Sequence, residues 1–240
     1  MGGMSSVSMP IALVTGASRG IGLAIARDLS ADHQLVLGCS SEDSAERLRE
    51  EFPSAQVVVA DFSDLASLSA FSSIFSDANP TTPLNVLVHS AGVTGHLPIA
   101  EAPVSMWRNV LDVNVIAVAE LTRLLLPSLR AGGGMVVAIN SGAGDHSGPG
   151  YGPYAASKFA LRALTDALRE EERGKVRVTS VQPGKVDSDM QRELQAHAGN
   201  QDYQPEVYVR PENIARAVRL AVDTSPETMM ETITVRPVIK

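Results

Sequence analysis

Short apolar runs alternate along this chain with longer segments of helical spacing. The runs are Ile11–Val14, Gln34–Gly38, Gln56–Ala60, Leu84–Val88, Met135–Ile139, Val176–Val181 and Thr232–Val235. They are rich in Val, Ile and Leu without strict polar alternation, the pattern of strands covered on both faces of a parallel sheet. Between them, Ile21–Ser30, Glu42–Glu51, Leu65–Ser76, Val104–Leu129, Tyr154–Arg173 and Glu212–Val222 carry helical periodicity. This alternation predicts an α/β fold: a doubly wound parallel sheet of about seven strands flanked by helices. No repeat, low-complexity tract or linker divides the chain, so residues 10–240 are expected to form a single domain after a disordered tail at 1–9.

Local signals refine the map. Ser63 is placed to cap the helix near Leu65, Pro211 fits a first helical turn, and Gly174 ends the Tyr154 helix. The run Glu170–Glu172 reads as a solvated face, and His33 as a surface residue before a strand. Asp189–Tyr208 has helical stretches but few apolar anchors.

Composition removes several function classes. The chain has 240 residues, 44% hydrophobic and 20% charged, as in ordinary globular domains. Its net charge of −7 gives no electrostatic footprint for nucleic acid or anionic lipid. No apolar run approaches a membrane span. The one cysteine, Cys39, cannot form an internal disulfide or a structural zinc site. No histidine pair has the spacing of a zinc ligand set. A soluble cytoplasmic enzyme without metal is the expectation.

The first candidate chemistry follows the first strand, where Thr15-Gly16-Ala17-Ser18-Arg19-Gly20-Ile21-Gly22 opens a helix. Gly16 permits a tight turn, Gly20 lets backbone approach a pyrophosphate, and Gly22 lets helix and sheet pack closely. Ser18, Arg19 and Ile21 complete the cradle, with free N–H groups at the helix start facing the anion. Strand before and helix after make this a nucleotide-binding signal of Rossmann type. The second strand ends Cys39-Ser40-Ser41, without the carboxylate that usually bonds the ribose hydroxyls of NAD. Ser40 and Ser41 can bond a 2′-phosphate and Arg19 adds positive charge, so NADP(H) is expected over NAD(H), which is not excluded. Alternatively, the serines cap the next helix and Arg19 faces solvent. After the third strand, Asp61 beside Phe62 can accept from an adenine amino group.

Tyr154 and Lys158 lie four residues apart, on one face of a helix. A free phenol has a pKa of ~10 and needs a neighbouring cation to work near neutrality. Lys158 can supply it and also bond a ribose hydroxyl. Ser141, just past the Met135–Ile139 strand, sits at the sheet edge where such folds bind ligands, and could polarise a substrate carbonyl.

Together TGASRGIG, His89-Ser90-Ala91-Gly92, Asn114, Ser141, Tyr154-Ala155-Ala156-Ser157-Lys158 and Pro183-Gly184 resemble the short-chain dehydrogenase/reductases, in the single-domain branch of about this length. The resemblance runs from Ile11 to about Val235. It implies reversible hydride transfer between nicotinamide and a carbonyl or alcohol carbon. The implied roles are Tyr154 as acid–base, Lys158 lowering its pKa and holding the nicotinamide ribose, Ser141 positioning the carbonyl, and Asn114 shaping a helix and supporting a proton-relay water. Ala91 and Gly92 keep the close backbone approach to cofactor. His89-Ser90 replaces the family's Asn-Asn, and His89 is read as filling an amide's structural place.

Pro183 and Gly184 would bring backbone to the nicotinamide amide, with Val186 and Ser188 nearby. Loops Thr94–Pro98, Gly142–Pro153 and Lys185–Tyr208 are expected to select the substrate, with about 185–208 folding over as a lid. His146 and Tyr151 are candidate substrate contacts. The expected substrate is a small or medium carbonyl compound or alcohol. By resemblance the chain is expected to form a homodimer or homotetramer, through the helices Val104–Leu129 and Tyr154–Arg173 or the last strand. The rival reading is a non-catalytic NADP(H)-binding sensor on the same fold; the complete Ser–Tyr–Lys set favours the enzyme.

Overall fold

A computed structural model describes residues 9–76, 82–197, 200 and 202–238. The expected tail, apart from Met9, lies outside the described residues. Seven parallel strands form one sheet in the order β3-β2-β1-β4-β5-β6-β7. These are β1 (Ile11–Val14), β2 (Gln34–Cys39), β3 (Gln56–Val59), β4 (Val86–His89), β5 (Met135–Ile139), β6 (Arg177–Pro183) and β7 (Thr232–Val235). The helices are α1 (Gly20–Leu29), α2 (Glu42–Glu51), α3 (Ser69–Ser76), α4 (Val104–Leu111), α5 (Ala117–Ala131), α6 (Gly152–Glu171), α7 (Asp189–His197) and α8 (Pro211–Val222).

The strands are apolar on both faces because both faces are covered. Ala12, Val14, Val86 and Val88 pack with Ile25 of α1 and Ile214 and Val218 of α8. Leu13 and Leu87 point the other way, into Phe71 of α3 and Leu121 and Leu125 of α5. Arg219 fastens α8 to α1 through Asp28 (2.7 Å) and Asp32 (2.8 Å).

Several boundaries differ from expectation, each for a local reason. The predicted Val104–Leu129 helix is broken by a π-helical turn at Asp112–Ile116, which sets Asn114 inward. The predicted Leu65–Ser76 helix opens with a 3-10 turn, Leu65–Leu68. That turn is capped by Asp64, whose side chain accepts from the Ala66 N–H, and not by Ser63, which is bonded to Asp61. β6 extends to Pro183 because it pairs there with Val235. Glu172 is buried, not solvated, held by a two-pronged pair with Arg130. His33 is also buried, with Nδ1 2.7 Å from Asp32, so the surface reading fails. Gly174 has φ +81°, as a left-handed helix stop requires.

Candidate active site

The strand order turns back at β1, whose neighbours β2 and β4 lead away in opposite directions. A crevice opens at the carboxyl ends of strands at such a point. Here a cavity of 1140 Å³ runs along that edge, from Cys39 and Asp61 past Gly16 and Gly92 to Ser141, Tyr154 and Pro183.

The glycine turn forms one wall. Gly16 and Gly20 have φ of +63° and +55°, conformations that L side chains rarely adopt. A Cβ on Gly16 would lie 2.8 Å from the Ala91 backbone, and one on Gly22 would lie 2.1 Å from the Gly16 carbonyl oxygen. Thr15 Oγ1 accepts from the N–H groups of Ser90 and Ala91 (both 3.1 Å), fixing β4's exit against the turn. Ser18, Arg19, Gly20, Ile21, Ala91 and Gly92 all line the cavity.

The two serines after β2 separate. Ser40 lines the cavity. Ser41 is not brought to it: its hydroxyl accepts from the Ser44 N–H at 3.3 Å and caps α2. Arg19 is largely exposed and lies 3.6 Å from Asp189 at the start of α7. Asp61 and Phe62 also line the cavity. One Asp61 oxygen accepts from both the N–H and the hydroxyl of Ser63 (2.8 and 2.7 Å), which holds its carboxyl below the usual range.

At the other end, Ser141, Tyr154 and Lys158 face the same space. Lys158 is 5% exposed; its Nζ donates to the Ile139 carbonyl at 3.0 Å and stands 5.7 Å from the Tyr154 ring centroid. Burial pushes the Lys158 ammonium down to about 8. The Tyr154 phenol moves upward, first because it is buried; Ser141's hydroxyl opposes this and Tyr151 adds to it. The upward direction runs against the lowering expected from Lys158, because desolvation is the largest cause.

Asn114 lies behind the wall, not on it. Its amide bridges the N–H and C=O of Val93 (both 2.9 Å) and donates to Ser157 Oγ (3.0 Å), tying β4's exit to α6. Pro183, Gly184, Val186 and Ser188 line the cavity, and Val186 forms a parallel bridge with Val209. From the 185–208 segment, Met190, Gln191, Leu194 and Gln195 of α7 face it, with Val207 and Tyr208. Tyr203 stacks on Tyr208 (4.6 Å, 6°) and donates to Asp187.

His146 and Tyr151 also reach the cavity. None of Thr94–Pro98 does; that loop supports the next one, with His96 edge-on to Tyr151 and Leu97 N–H donating to Gly150. His89 is 2% exposed, its Nε2 2.9 Å from Thr122 Oγ1, and burial pushes its pKa down to about 3. It sits away from the cavity, with its other ring nitrogen, Nδ1, buried and unpartnered among the described residues.

Sequence reasoning missed Asn109, Asn140 and Arg236 on the cavity wall. Asn140 is 3% exposed and neither of its amide atoms has a partner among the described residues. Its position one residue before Ser141 was the available signal. Arg236 had none, because only the pairing of β7 with β6 brings it here.

A nicotinamide dinucleotide fits these residues on two observations: the glycine turn, with Gly16 and Gly20 at positive φ, lines the cavity, and the Asn140 amide on its wall is buried and unpartnered among the described residues. Among the described residues no group of three or more His, Cys, Asp or Glu could hold a metal ion, and no helix is long and apolar enough to cross a membrane.

Residues 10–199 match the family model described as short chain dehydrogenase. The chain is 32% identical over 239 residues to glycine betaine reductase ATRR of Emericella nidulans, covering 96% of this chain but 19% of that protein. It is 30% identical over 243 residues to dehydrogenase/reductase SDR family member 11 of Bos taurus, covering 95% of each. Among solved structures, an alcohol dehydrogenase from the archaeon Thermococcus sibiricus, complexed with 5-hydroxy-NADP, superposes with a TM-score of 0.84. It is 28% identical, over 97% of this chain and 98% of that one.

Proposed function

Because this chain belongs to the short chain dehydrogenase family of oxidoreductases acting on CH–OH and C=O groups, we propose that it is an NADP(H)-dependent reductase or dehydrogenase of small or medium carbonyl compounds and alcohols, with Tyr154 as its acid–base. The nicotinamide, when bound, supplies or accepts the hydride. The reading is carried by Ser141, Tyr154 and Lys158 meeting on one cavity with the glycine turn.

Residues 16–22, Ala91 and Gly92 would hold the pyrophosphate and adjoining ribose by close backbone approach. Asp61 faces the adenine end. Arg19 and Ser40 would receive a 2′-phosphate, and the lack of a carboxylate after β2 supports NADP(H). Pro183, Gly184, Val186 and Ser188 would hold the nicotinamide end beside Lys158.

Ser141 holds the substrate oxygen by a hydrogen bond. Tyr154, protonated near neutrality as an ordinary phenol is and pushed further that way by burial, gives its proton to that oxygen as a carbonyl is reduced and takes one back when an alcohol is oxidised. Lys158, charged at pH 7 with its value near 8, stabilises the phenolate left behind. Asn114 is a positioning residue, holding β4's exit against α6. The segment 185–208 acts as a lid that excludes water.

The domain is proposed to span residues 10–240, and the protein to work as a cytoplasmic homodimer or homotetramer. Exposed Ile116 and Phe159, on or beside the long helices, support that assembly.

Tyr154→Phe is the test. It should lower turnover across a panel of ketones, aldehydes and alcohols by about 10²- to 10⁴-fold, while fluorescence titration finds NADPH affinity little changed. Unchanged turnover with intact NADPH binding would remove Tyr154 from the mechanism.

A further inference from the structure

Arg236 follows β7, and its side chain doubles back over the ends of β5 and β6. Its Cδ lies 2.9 Å from the place a Gly184 Cβ would take. Its Nη2 and Cζ lie 3.0 and 3.3 Å from that of Gly142, the residue after Ser141. The absence of a side chain at both glycines leaves room for the guanidinium on the cavity wall. Nη1 donates to the Gln182 carbonyl at 2.5 Å and more weakly to that of Val235 at 3.4 Å. That anchors one arm. Among the described residues, Nη2 and Nε have no hydrogen-bond partner and no carboxylate pairs with the group.

The distribution of charge around the cavity is uneven. Its acidic wall residues are Asp61 and Asp189; the first is held by Ser63 and the second faces Arg19 on the nucleotide side. Around Ser141 and Tyr154 the charged lining groups are Lys158, Lys185 and Arg236, all basic. Lys158 is committed to the Ile139 carbonyl and the phenol. Among the described residues Lys185 has no hydrogen-bond partner for its side chain, and Arg236 is held only through Nη1.

We propose that the substrate carries a carboxylate close to its reacting carbon, an oxo acid or the matching hydroxy acid, and that Arg236 determines this specificity by binding that carboxylate. A planar guanidinium whose Nε–Nη2 edge is free matches a carboxylate in geometry and charge. Nη2 is within ~4.5 Å of the Gly142 Cα, which is ~3.8 Å from that of Ser141. Nη2 is therefore within ~8 Å of the Ser141 Cα, a span that one small oxo acid can bridge. Lys185 adds long-range attraction for the anion.

The proposal rests on the reading of this cavity as a carbonyl-reducing site, and the experiment separates the two. Pyruvate, 2-oxobutyrate, acetoacetate and levulinate are compared with their methyl esters as substrates for the NADPH-loaded enzyme and for Arg236→Leu and Arg236→Lys. The wild-type acid-to-ester ratio of kcat/KM for the best pair should be roughly tenfold to hundredfold. It should fall to about one in Arg236→Leu and be partly restored in Arg236→Lys. In parallel, calorimetry with the NADP-loaded proteins should find butyrate binding to wild type more tightly than butyramide, and no such preference in Arg236→Leu.

A wild-type ratio near one, or one that Arg236→Leu leaves intact, overturns the proposal while the reductase reading stands. If no carbonyl or alcohol is turned over, the reductase reading fails. Calorimetry then decides the anion site alone: equal binding of butyrate and butyramide overturns it.

Discussion

Replacing Lys158 by Met should make the cofactor-free protein more stable while disabling it. The amine is buried against the Ile139 carbonyl, and its value falls from 10.5 to about 8. Between those values the unfolded chain binds more protons than the folded one, so wild-type stability rises with pH across that window. Integrating the shift, the buried ammonium costs about 3 kcal/mol at pH 7 and about 2 kcal/mol at pH 9. Methionine has similar length and no charge, so Lys158→Met recovers much of that cost, less about 1 kcal/mol for the lost hydrogen bond. Urea midpoints at pH 7 and pH 9 measure this. Taking the difference between variants cancels the other titrating groups. The variant should be more stable at pH 7, by an amount that shrinks by about 1 kcal/mol at pH 9. A variant no more stable than wild type at pH 7, with a difference independent of pH, would refute the claim that Lys158 is held charged against desolvation.

Two further outcomes follow from the same geometry. Fluorescence titration should find NADPH bound more tightly than NADH, and Arg19→Ala should weaken NADPH roughly tenfold with little change for NADH; equal affinities in wild type would sink the 2′-phosphate reading. Buried His89 is held neutral down to about pH 3, so it contributes full stability above its ordinary value of 6.5 and loses it as pH falls below. His89→Gln should remove about 2 kcal/mol of the acid sensitivity between pH 7 and pH 5, measured by urea midpoints, and an unchanged slope would contradict the assignment.

Most of the sheet was legible because a strand covered on both faces needs an unbroken apolar run, and each of the seven runs overlaps an observed strand. The glycine turn was legible for a related reason: Gly16 and Gly22 stand where a Cβ meets backbone, a constraint written directly as residue type. What depended on contacts distant in sequence was not legible. Glu172 looks solvated in isolation and becomes buried only when Arg130, 42 residues earlier, closes on it. The break in the long helix at Asp112–Ile116 has no glycine or proline to announce it; it serves Asn114's bonds to Val93 and Ser157, far along the chain. Ser41 fell to local chemistry, because a hydroxyl before a helix meets the Ser44 N–H sooner than any ligand.

The two catalytic candidates on α6 are perturbed by one cause with opposite consequences. Burial disfavours the charged form of each, so Tyr154 moves up and Lys158 moves down. At neutral pH the phenol therefore keeps its proton and the amine still keeps its charge. That is the combination needed by a proton donor whose conjugate base must be stabilised the moment it forms. Had the lysine pulled the phenol to neutrality in the resting state, part of the enzyme would wait as phenolate, unable to protonate a carbonyl oxygen. Under the proposed mechanism this protonation state suits the reductive direction. In the proposed mechanism alcohol oxidation must first strip the Tyr154 proton against the same desolvation, a cost opposed by the hydrogen bond from Ser141 and by the Lys158 charge beside the ring.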